Sequence, residues 1–221
     1  MAVKENPAAP EAATDTETRP WSKSYPAGLS WTARFEPGLV HSLLDQAVQR
    51  HGARVCTHFE GQRLTYAEIG ALSDRAAKGL AALGVREGGR VGLLLPNSPT
   101  YLIYYFAILK AGGTVVNFNP LYSIEEIAFQ ITDSQTAIMV TLDLELLFKK
   151  IEPLLADGTL ERAVVGDFAS LLPKLKQIGI KLTRRVRRAK LGRSHQRRRI
   201  VREHDLLAND GLFTRPVVKP E

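Results

Sequence analysis

The fold is decided by residues 64–122, which read LTYAEIGALSDRAAKGLAALGVREGGRVGLLLPNSPTYLIYYFAILKAGGTVVNFNPLY. Thr65 to Glu68 have the form of a capping box, in which two side chains satisfy backbone N–H groups where a helix begins. Apolar residues at helical spacing follow as far as Gly84, and Arg90–Leu95 is then a continuous apolar run typical of a buried strand. The segment therefore opens with a helix and a strand.

The second half of the segment repeats this order. Ser98 and Pro99 suit the N-cap and the first turn of a helix that continues to Lys110. The glycines that follow Lys110 predict the end of that helix, and Thr114–Phe118 is predicted as the next strand.

The alternation continues on both sides of this segment. The further predicted elements are a helix at 39–48, a hairpin at 55–64, helices at 123–134 and 143–155, and strands at 137–141 and 163–165. The strands do not alternate between polar and apolar positions, which is typical of parallel strands covered on both faces. We therefore predict an α/β fold, in which a parallel sheet is flanked by helices.

The composition is that of a folded domain. The chain has 221 residues, of which 44% are hydrophobic and 24% charged, and these values exclude collagen-like and disulfide-rich classes. Cys56 is the single cysteine and cannot form an internal disulfide or a multi-cysteine metal site. The longest apolar run, Tyr101–Leu109, has nine residues, whereas a membrane-spanning helix needs about 20. We expect a cytoplasmic protein, with peripheral contact to the inner face of the membrane as an option.

The net charge of +7 is concentrated in one segment. Thirteen of the 30 Lys and Arg residues lie within residues 168–202, where there is no Asp or Glu, so the other residues carry a net charge of −6. Apolar residues between Leu171 and Ala189 recur at helical spacing, which predicts a basic amphipathic helix.

Three interpretations of this basic segment stay open. It is a solvated charged surface, or it contacts an anionic membrane surface, or it binds nucleic acid. The candidate membrane-surface residues are Lys181, Arg184, Arg185, Arg187 and Arg188. Nucleic acid is disfavoured, because residues 174–202 contain no aromatic side chain for stacking on a base.

Phosphate loops and catalytic clusters are absent from the sequence. There is no Gly-Lys dipeptide, which excludes a Walker A loop, and the five His residues are scattered, so no metal site is predicted. Ser98 lies in Asn-Ser-Pro-Thr rather than in a nucleophile elbow. The residues alone therefore assign no catalytic group.

Residues 64–122 resemble the opening of the large domain in the adenylate-forming superfamily of acyl-CoA synthetases and related ligases. The shared features are Leu-Thr-Tyr-x-Glu, Gly-x-Arg-Val followed by Leu-Pro-Asn, and Leu-Lys-Ala-Gly-Gly followed by a strand and Asn-Pro. The stretches RPWSKSYP at 19–26 and NFNPLYSIEEI at 117–127 are similar to long-chain fatty acid–CoA ligases in particular. The resemblance covers about residues 19–166, and medium-chain and aromatic acid ligases stay open.

The resemblance implies ATP-dependent activation of a fatty acid. In the family, a carboxylate attacks the α-phosphate of ATP to give an acyl-adenylate and pyrophosphate, and the thiolate of coenzyme A then displaces AMP, with magnesium neutralising the triphosphate. The family's phosphate loop and its later motifs are absent from this sequence. The resemblance thus implies an amino-terminal fragment of a fatty acid–CoA ligase that is inactive alone and binds none of ATP, magnesium and coenzyme A by itself.

One loop is matched to the family residue by residue. Asn119, Pro120 and Tyr122 correspond to the family's loop after the strand, which implies contact with the fatty acid substrate. A turn that ends the strand Thr114–Phe118 explains Asn-Pro equally well.

We predict five consecutive regions along the chain. They are a disordered leader at 1–18, an irregular aromatic arm at 19–38, an α/β domain of the AMP-dependent synthetase type at 39–166, the basic amphipathic segment at 167–208, and a linker at 209–221. A homodimer is a further option for the assembly. The alternative to an enzyme is a binding module that uses the basic segment on an anionic membrane surface or on nucleic acid.

Overall fold

The computed structural model describes residues 21, 24–26, 37–174, 176–177 and 186–218. The chain divides into two units, Met1–Pro37 and Gly38–Glu221. The predicted leader at 1–18 lies outside the described residues, and so does most of the predicted aromatic arm, of which Trp21 and Tyr25 are exposed. The helices and strands that follow belong to the second unit.

Helices and strands follow one another in the predicted order. The helices include α1 (Val40–His51), α2 (Tyr66–Ala82), α3 (Pro99–Lys110), α4 (Ile124–Ser134), α5 (Glu145–Ala156) and α6 (Glu203–Leu206). The strands are β1 (Val55–Phe59), β2 (Gln62–Thr65), β3 (Arg90–Leu94), β4 (Thr114–Asn117), β5 (Ile138–Leu142), β6 (Arg162–Gly166) and β7 (Ile200–Arg202).

Five of the described strands form one parallel sheet in the order β4-β3-β5-β6-β7. Val91 of β3, the second strand in this order, pairs with Val115 of β4 on one side and with Ile138 of β5 on the other. β1 and β2 form a separate antiparallel hairpin, as predicted. Because the strands are parallel, their carboxyl ends lie at one edge of the sheet. The chain crosses from β4 to the far side of β3, and such a reversal of strand order leaves a crevice at that edge that can hold a site.

Neighbouring residues of one strand enter different hydrophobic cores. Leu93 packs in the core that α2 and α3 mainly cover, whereas Leu94 packs in the core that α4 and α5 mainly cover. Val140 and Met139 of β5 divide between the same two cores. Since successive side chains of a strand point to opposite faces, helices lie on both faces of the sheet. The predicted α/β fold is confirmed.

Both predicted capping boxes are present. The Thr65 hydroxyl accepts a hydrogen bond of 3.2 Å from the Glu68 backbone N–H, and the Glu68 carboxylate accepts one of 2.7 Å from the Thr65 backbone N–H. Ser123 and Glu126 form the same pair of bonds at 3.2 and 2.7 Å. These contacts fix where α2 and α4 begin.

Ser98 occupies the predicted N-cap position of α3, and Pro99 begins the helix as predicted. The Ser98 side chain nevertheless makes no capping hydrogen bond. Its buried hydroxyl has no hydrogen-bond partner among the described residues. α3 begins here because Pro99 presets the backbone angle of the first helical turn.

The basic segment differs from the predicted amphipathic helix. Residues 174 and 176–177 are helical as predicted, 175 and 178–185 lie outside the described part, and 186–190 are not helical. Arg188 instead forms an isolated antiparallel bridge with Leu144. Further along the segment, β7 adds a fifth strand beside β6, with Ile200 opposite Ala163. The sheet therefore extends past the predicted boundary at Gly166, because the chain returns to it after the basic segment.

The stretch predicted as a linker packs on the domain. We call residues 209–218 the strap, and 219–221 lie outside the described residues. The Asn209 side chain donates a 3.0 Å hydrogen bond to the Arg75 carbonyl, and Asp210 pairs with Lys78 at 2.6 Å. The strap is thus bound to α2 by polar contacts that a free linker would lack.

Candidate functional site

Three acidic residues follow three adjacent strands at the carboxyl edge of the sheet. Asp143 follows β5, Asp167 follows β6 and Glu203 follows β7. All three line a cleft of about 520 Å³. Its apolar wall is formed by Val165, Ala189, Leu191 and Leu207. Parallel pairing brings these acids together, although they are far apart in sequence.

Arg188 binds two of the three carboxylates. Its Nε donates to the Asp143 Oδ2 at 2.7 Å, and its terminal nitrogen lies 2.6 Å from the Asp167 Oδ1. Asp143 is only 5% exposed, and its second oxygen accepts a 2.9 Å hydrogen bond from the Phe168 backbone N–H. The buried charge of Asp143 is therefore both paired and hydrogen-bonded, as a buried carboxylate requires.

Glu203 is the third carboxylate and has no such pairing. No described Lys or Arg forms an ion pair with it. The nearby Arg188 pairs with Asp143 and Asp167 instead. Burial raises the pKa of Glu203 to about 7, and the charges of Asp167 and Asp143 add to this increase. The Tyr104 hydroxyl faces the carboxylate and acts in the opposite direction, although the two groups do not reach full hydrogen-bond geometry.

A second charged cluster joins three helices to the strap. Lys110 of α3 is 1% exposed and lies 2.8 Å from Asp74 of α2 and 3.0 Å from Asp45 of α1. Arg215 of the strap pairs with the same two carboxylates, at 2.9 Å from Asp74. Two cations and two anions thus share one partly buried network, which stabilises the docking of the strap.

Sequence reasoning missed this network, although one signal was available. Lys110 follows Ile103 and Ala107 at spacings of seven and three residues, and both of those side chains are buried. That spacing places the lysine on the buried face of α3. Asp45, Asp74 and Arg215 gave no comparable local signal, because the contacts join distant parts of the chain.

The loop expected to contact substrate is a fixed turn after β4. The Asn119 side chain accepts a 3.0 Å hydrogen bond from the Leu121 backbone N–H. Lys150 of α5 donates to the carbonyls of Pro120 and Tyr122, at 2.7 and 2.6 Å. These residues are not among those that line the acidic cleft. A substrate contact stays a prediction, and Lys150 is a positioning residue that the sequence did not indicate.

The predicted membrane-surface residues are only partly described. Lys181, Arg184 and Arg185 lie outside the described residues. Arg187 is exposed, and its carbonyl accepts a 2.9 Å hydrogen bond from the Glu145 backbone N–H. Arg188 is a poor candidate, because its charge already serves the carboxylates described above. No helix in the described part of the chain is both long and apolar enough to cross a membrane.

The acidic cleft does not fit the groups implied by the resemblance. A triphosphate or the phosphates of coenzyme A would meet three carboxylates, Asp143, Asp167 and Glu203. Arg188 is already paired with two of them, which leaves Arg202 as the one further guanidinium among the described lining residues. Within the described ranges, no group of three or more His, Cys, Asp or Glu side chains is arranged to hold a metal ion. We therefore place none of ATP, magnesium and coenzyme A in this cleft.

Comparison with known sequences identifies relatives for most of the second unit. The family described as AMP-binding enzyme matches residues 44–207. A long-chain-fatty-acid–CoA ligase of Bacillus subtilis (strain 168) is 30% identical over 167 residues, which cover 76% of this chain and 30% of that protein. A linear gramicidin synthase of Brevibacillus parabrevis is 39% identical over 116 residues, covering 52% of this chain and 2% of that protein. The chain thus spans less than a third of these relatives.

Solved structures share the fold. The fatty acyl CoA synthetase of Mycobacterium tuberculosis aligns with a TM-score of 0.51 and 27% identity, over 57% of this chain and 26% of that chain. The coronafacic acid ligase of Pectobacterium brasiliense aligns with a TM-score of 0.63 over 81% of this chain and 31% of that chain. Its 15% identity makes that likeness one of fold alone.

Proposed function

Because this chain belongs to the AMP-binding enzyme family, we propose that it forms part of an ATP-dependent fatty acid–CoA ligase. The observation that carries this proposal is the breadth of the match to the Bacillus subtilis ligase, which covers 76% of the chain at 30% identity. The similarity to a mycobacterial fatty acyl CoA synthetase, at 27% identity and a TM-score of 0.51, supports the same substrate class. Magnesium and coenzyme A are proposed as further requirements of the complete enzyme.

The contribution of this chain is a scaffold and one loop. The parallel sheet presents the carboxyl ends of its strands at one edge, where α/β proteins generally bind ligands. At the end of β4, Lys150 holds the turn that contains Asn119, Pro120 and Tyr122. We assign this turn to contact with the fatty acid, whereas the groups that bind the triphosphate lie outside the described residues.

A second candidate is activation of an amino acid for peptide synthesis. Its support is the higher identity to peptide synthases, such as 41% over 105 residues to a plipastatin synthase of Bacillus subtilis (strain 168). That match covers only 46% of this chain, and for this reason we rank it second.

The test is ATP–pyrophosphate exchange by the natural protein, purified from its own source after its intact mass has been measured. Palmitate and a mixture of the 20 amino acids are compared, with hexadecanol as a matched control that lacks the carboxylate. Stimulation by palmitate alone is expected. Stimulation by amino acids alone would replace the first proposal by the second, and stimulation by neither would contradict both. The 221-residue chain assayed alone is expected to give no exchange.

A further inference from the structure

The short helix α6 packs closely against two glycines, Gly79 and Gly166, and we call this packing site its seat. A Cβ atom added to Gly79 of α2 would lie 2.5 Å from the Leu206 Cγ, closer than side-chain atoms can approach. A Cβ atom added to Gly166 at the end of β6 would lie 3.0 Å from the Glu203 Oε2. α6 is therefore enclosed from two sides, by α2 and by the edge of the sheet, with no spare volume at either contact.

The carboxylate at the start of α6 enters an environment that is already negative. Asp143 and Asp167 face it from the ends of β5 and β6, and Arg188, the one cation that pairs with them among the described residues, is shared between both. The phenol of Tyr104 faces it from α3. From its own side of the cleft the titratable or charged neighbours are Arg202 and His204, and Asp205 lies on the same helix.

The strap follows α6 after two residues and is bound at several points between Asn209 and Pro216. Asn209 and Asp210 contact α2, where Lys78 is the facing cation, and Arg215 enters the network of Lys110. Near its end, a Cβ atom added to Gly112 would lie 2.6 Å from the Pro216 ring. A displacement of α6 would therefore act on a segment that is attached at several later points.

We propose that α6 and the strap form a latch, which is closed while the Glu203 carboxyl is protonated and loosened when it ionises between Asp143 and Asp167. The closed state needs no compensating cation, because a neutral carboxyl fits the enclosed seat. The ionised state adds a third negative charge to a cluster that has one bound guanidinium, and the backbone N–H of Asp167 only partly offsets this. The carboxylate already lines the cleft, and moving α6 outward exposes more of it to water. The position of the Glu203 pKa, about 7, makes the latch respond near neutral pH.

Hydrogen–deuterium exchange of the complete 221-residue chain tests the latch. Backbone amides in 203–218 are compared at pH 5.5 and 8.5, after correction for the intrinsic rate of exchange. Their protection is expected to fall on the order of 30-fold at the higher pH, if the carboxyl regains an ordinary pKa when the latch opens. Amides of α3 serve as the internal reference: they exchange by global unfolding and should stay better protected than those of 203–218 at both pH values. Equal protection of 203–218 at both pH values, or protection of 203–218 that matches that of α3, would overturn the proposal.

Variants separate ionisation from packing. Glu203→Gln cannot ionise, so its protection in 203–218 should not depend on pH; a change as large as that of the natural chain would contradict the latch.

Gly79→Ala should open the segment at both pH values because of the clash with Leu206. Gly38→Ala is its matched control, since nothing lies within 4 Å of the added atom. If Gly79→Ala does not fold, Arg215→Met tests the strap more gently, and its protection should fall at 209–218 under both conditions.

Discussion

The ammonium group of Lys110 lies 2.8 Å from the carboxylate of Asp74, and only 1% of the lysine side chain is exposed. This contact joins α3 to α2 beneath the strap. The same ammonium also reaches Asp45 on α1 at 3.0 Å, so one buried cation holds three helices together. A buried charge is tolerated only when it is paired, and here the pairing comes from three separate parts of the chain.

Lys110→Met is expected to lower the free energy of unfolding by about 3 kcal/mol, because two carboxylates lose a buried partner. Both keep Arg215, and Asp45 also keeps His41 at 3.6 Å. Urea denaturation measures this change. Lys149→Met is the matched control, since Lys149 is 68% exposed and pairs only with Glu145 one turn away, and it should leave stability unchanged. Equal stabilities of the two variants would mean that the ion pairs of Lys110 make no net contribution to the free energy of unfolding.

The stability of the natural chain is expected to depend on Glu203 above acidic pH. Its pKa of about 7 in the folded chain exceeds the ordinary value of 4.5, so the folded state retains a proton that the unfolded state loses. Stability therefore falls as pH rises from about 4.5 to about 7 and is level beyond. The shifted pKa of Glu203 changes the free energy of unfolding by at most about 3 kcal/mol over this range. The difference between Glu203→Gln and the natural chain, measured by urea denaturation across this range, should move in favour of the variant as pH rises.

Asp45 should show the opposite dependence. Burial alone would raise its pKa, but hydrogen bonds from Arg215 and Lys110 lower it below the ordinary value of 3.8. Its stabilising contribution is thus present near neutral pH and is lost as pH falls through the lowered pKa. Asp45→Asn should destabilise the chain at pH 7, and the difference from the natural chain should shrink towards pH 2. A difference that stays constant with pH would show that the effect of the substitution is purely steric.

Lys150→Met should loosen the turn after β4. The lysine donates to two carbonyls of that turn, and without it the turn keeps the bonds that the Leu121 and Tyr122 amides donate to Asn119. Faster exchange of the Leu121 and Tyr122 amides is expected, with little change in the helices. In the complete enzyme, the same variant should raise the KM for the fatty acid. Unchanged exchange at both amides would remove the positioning role of Lys150.

Most of the architecture was readable from local patterns. The capping boxes at Thr65 and Ser123, and the apolar runs of β3 and β5, each lie within a few consecutive residues, where period and capping chemistry are visible. β7 escaped detection because it has three residues and follows a run of arginines, so it shows no measurable period.

The candidate site was less accessible to sequence reasoning for a different reason. Arg188 and Asp143 are 45 residues apart, and their contact arises only after β5 and β6 have paired and the chain has returned across their ends. Residues 186–190 are not helical, in contrast to the prediction, because Arg188 is held in this contact and in the bridge with Leu144. Helical spacing describes a single element, whereas the ion pairs of Arg188 depend on two strands outside that element.

The late position of β7 also bears on synthesis. The edge of β6 cannot be covered until Ile200 has left the ribosome, about 34 residues after Gly166. At common rates of translation this interval lasts roughly 2–7 s, during which an apolar strand edge is open to other nascent chains on the same messenger. Most of residues 168–202 leave the ribosome in that interval, and this segment is rich in Lys and Arg and contains no Asp or Glu. Their mutual repulsion would keep neighbouring unfinished copies apart until each chain closes its own sheet.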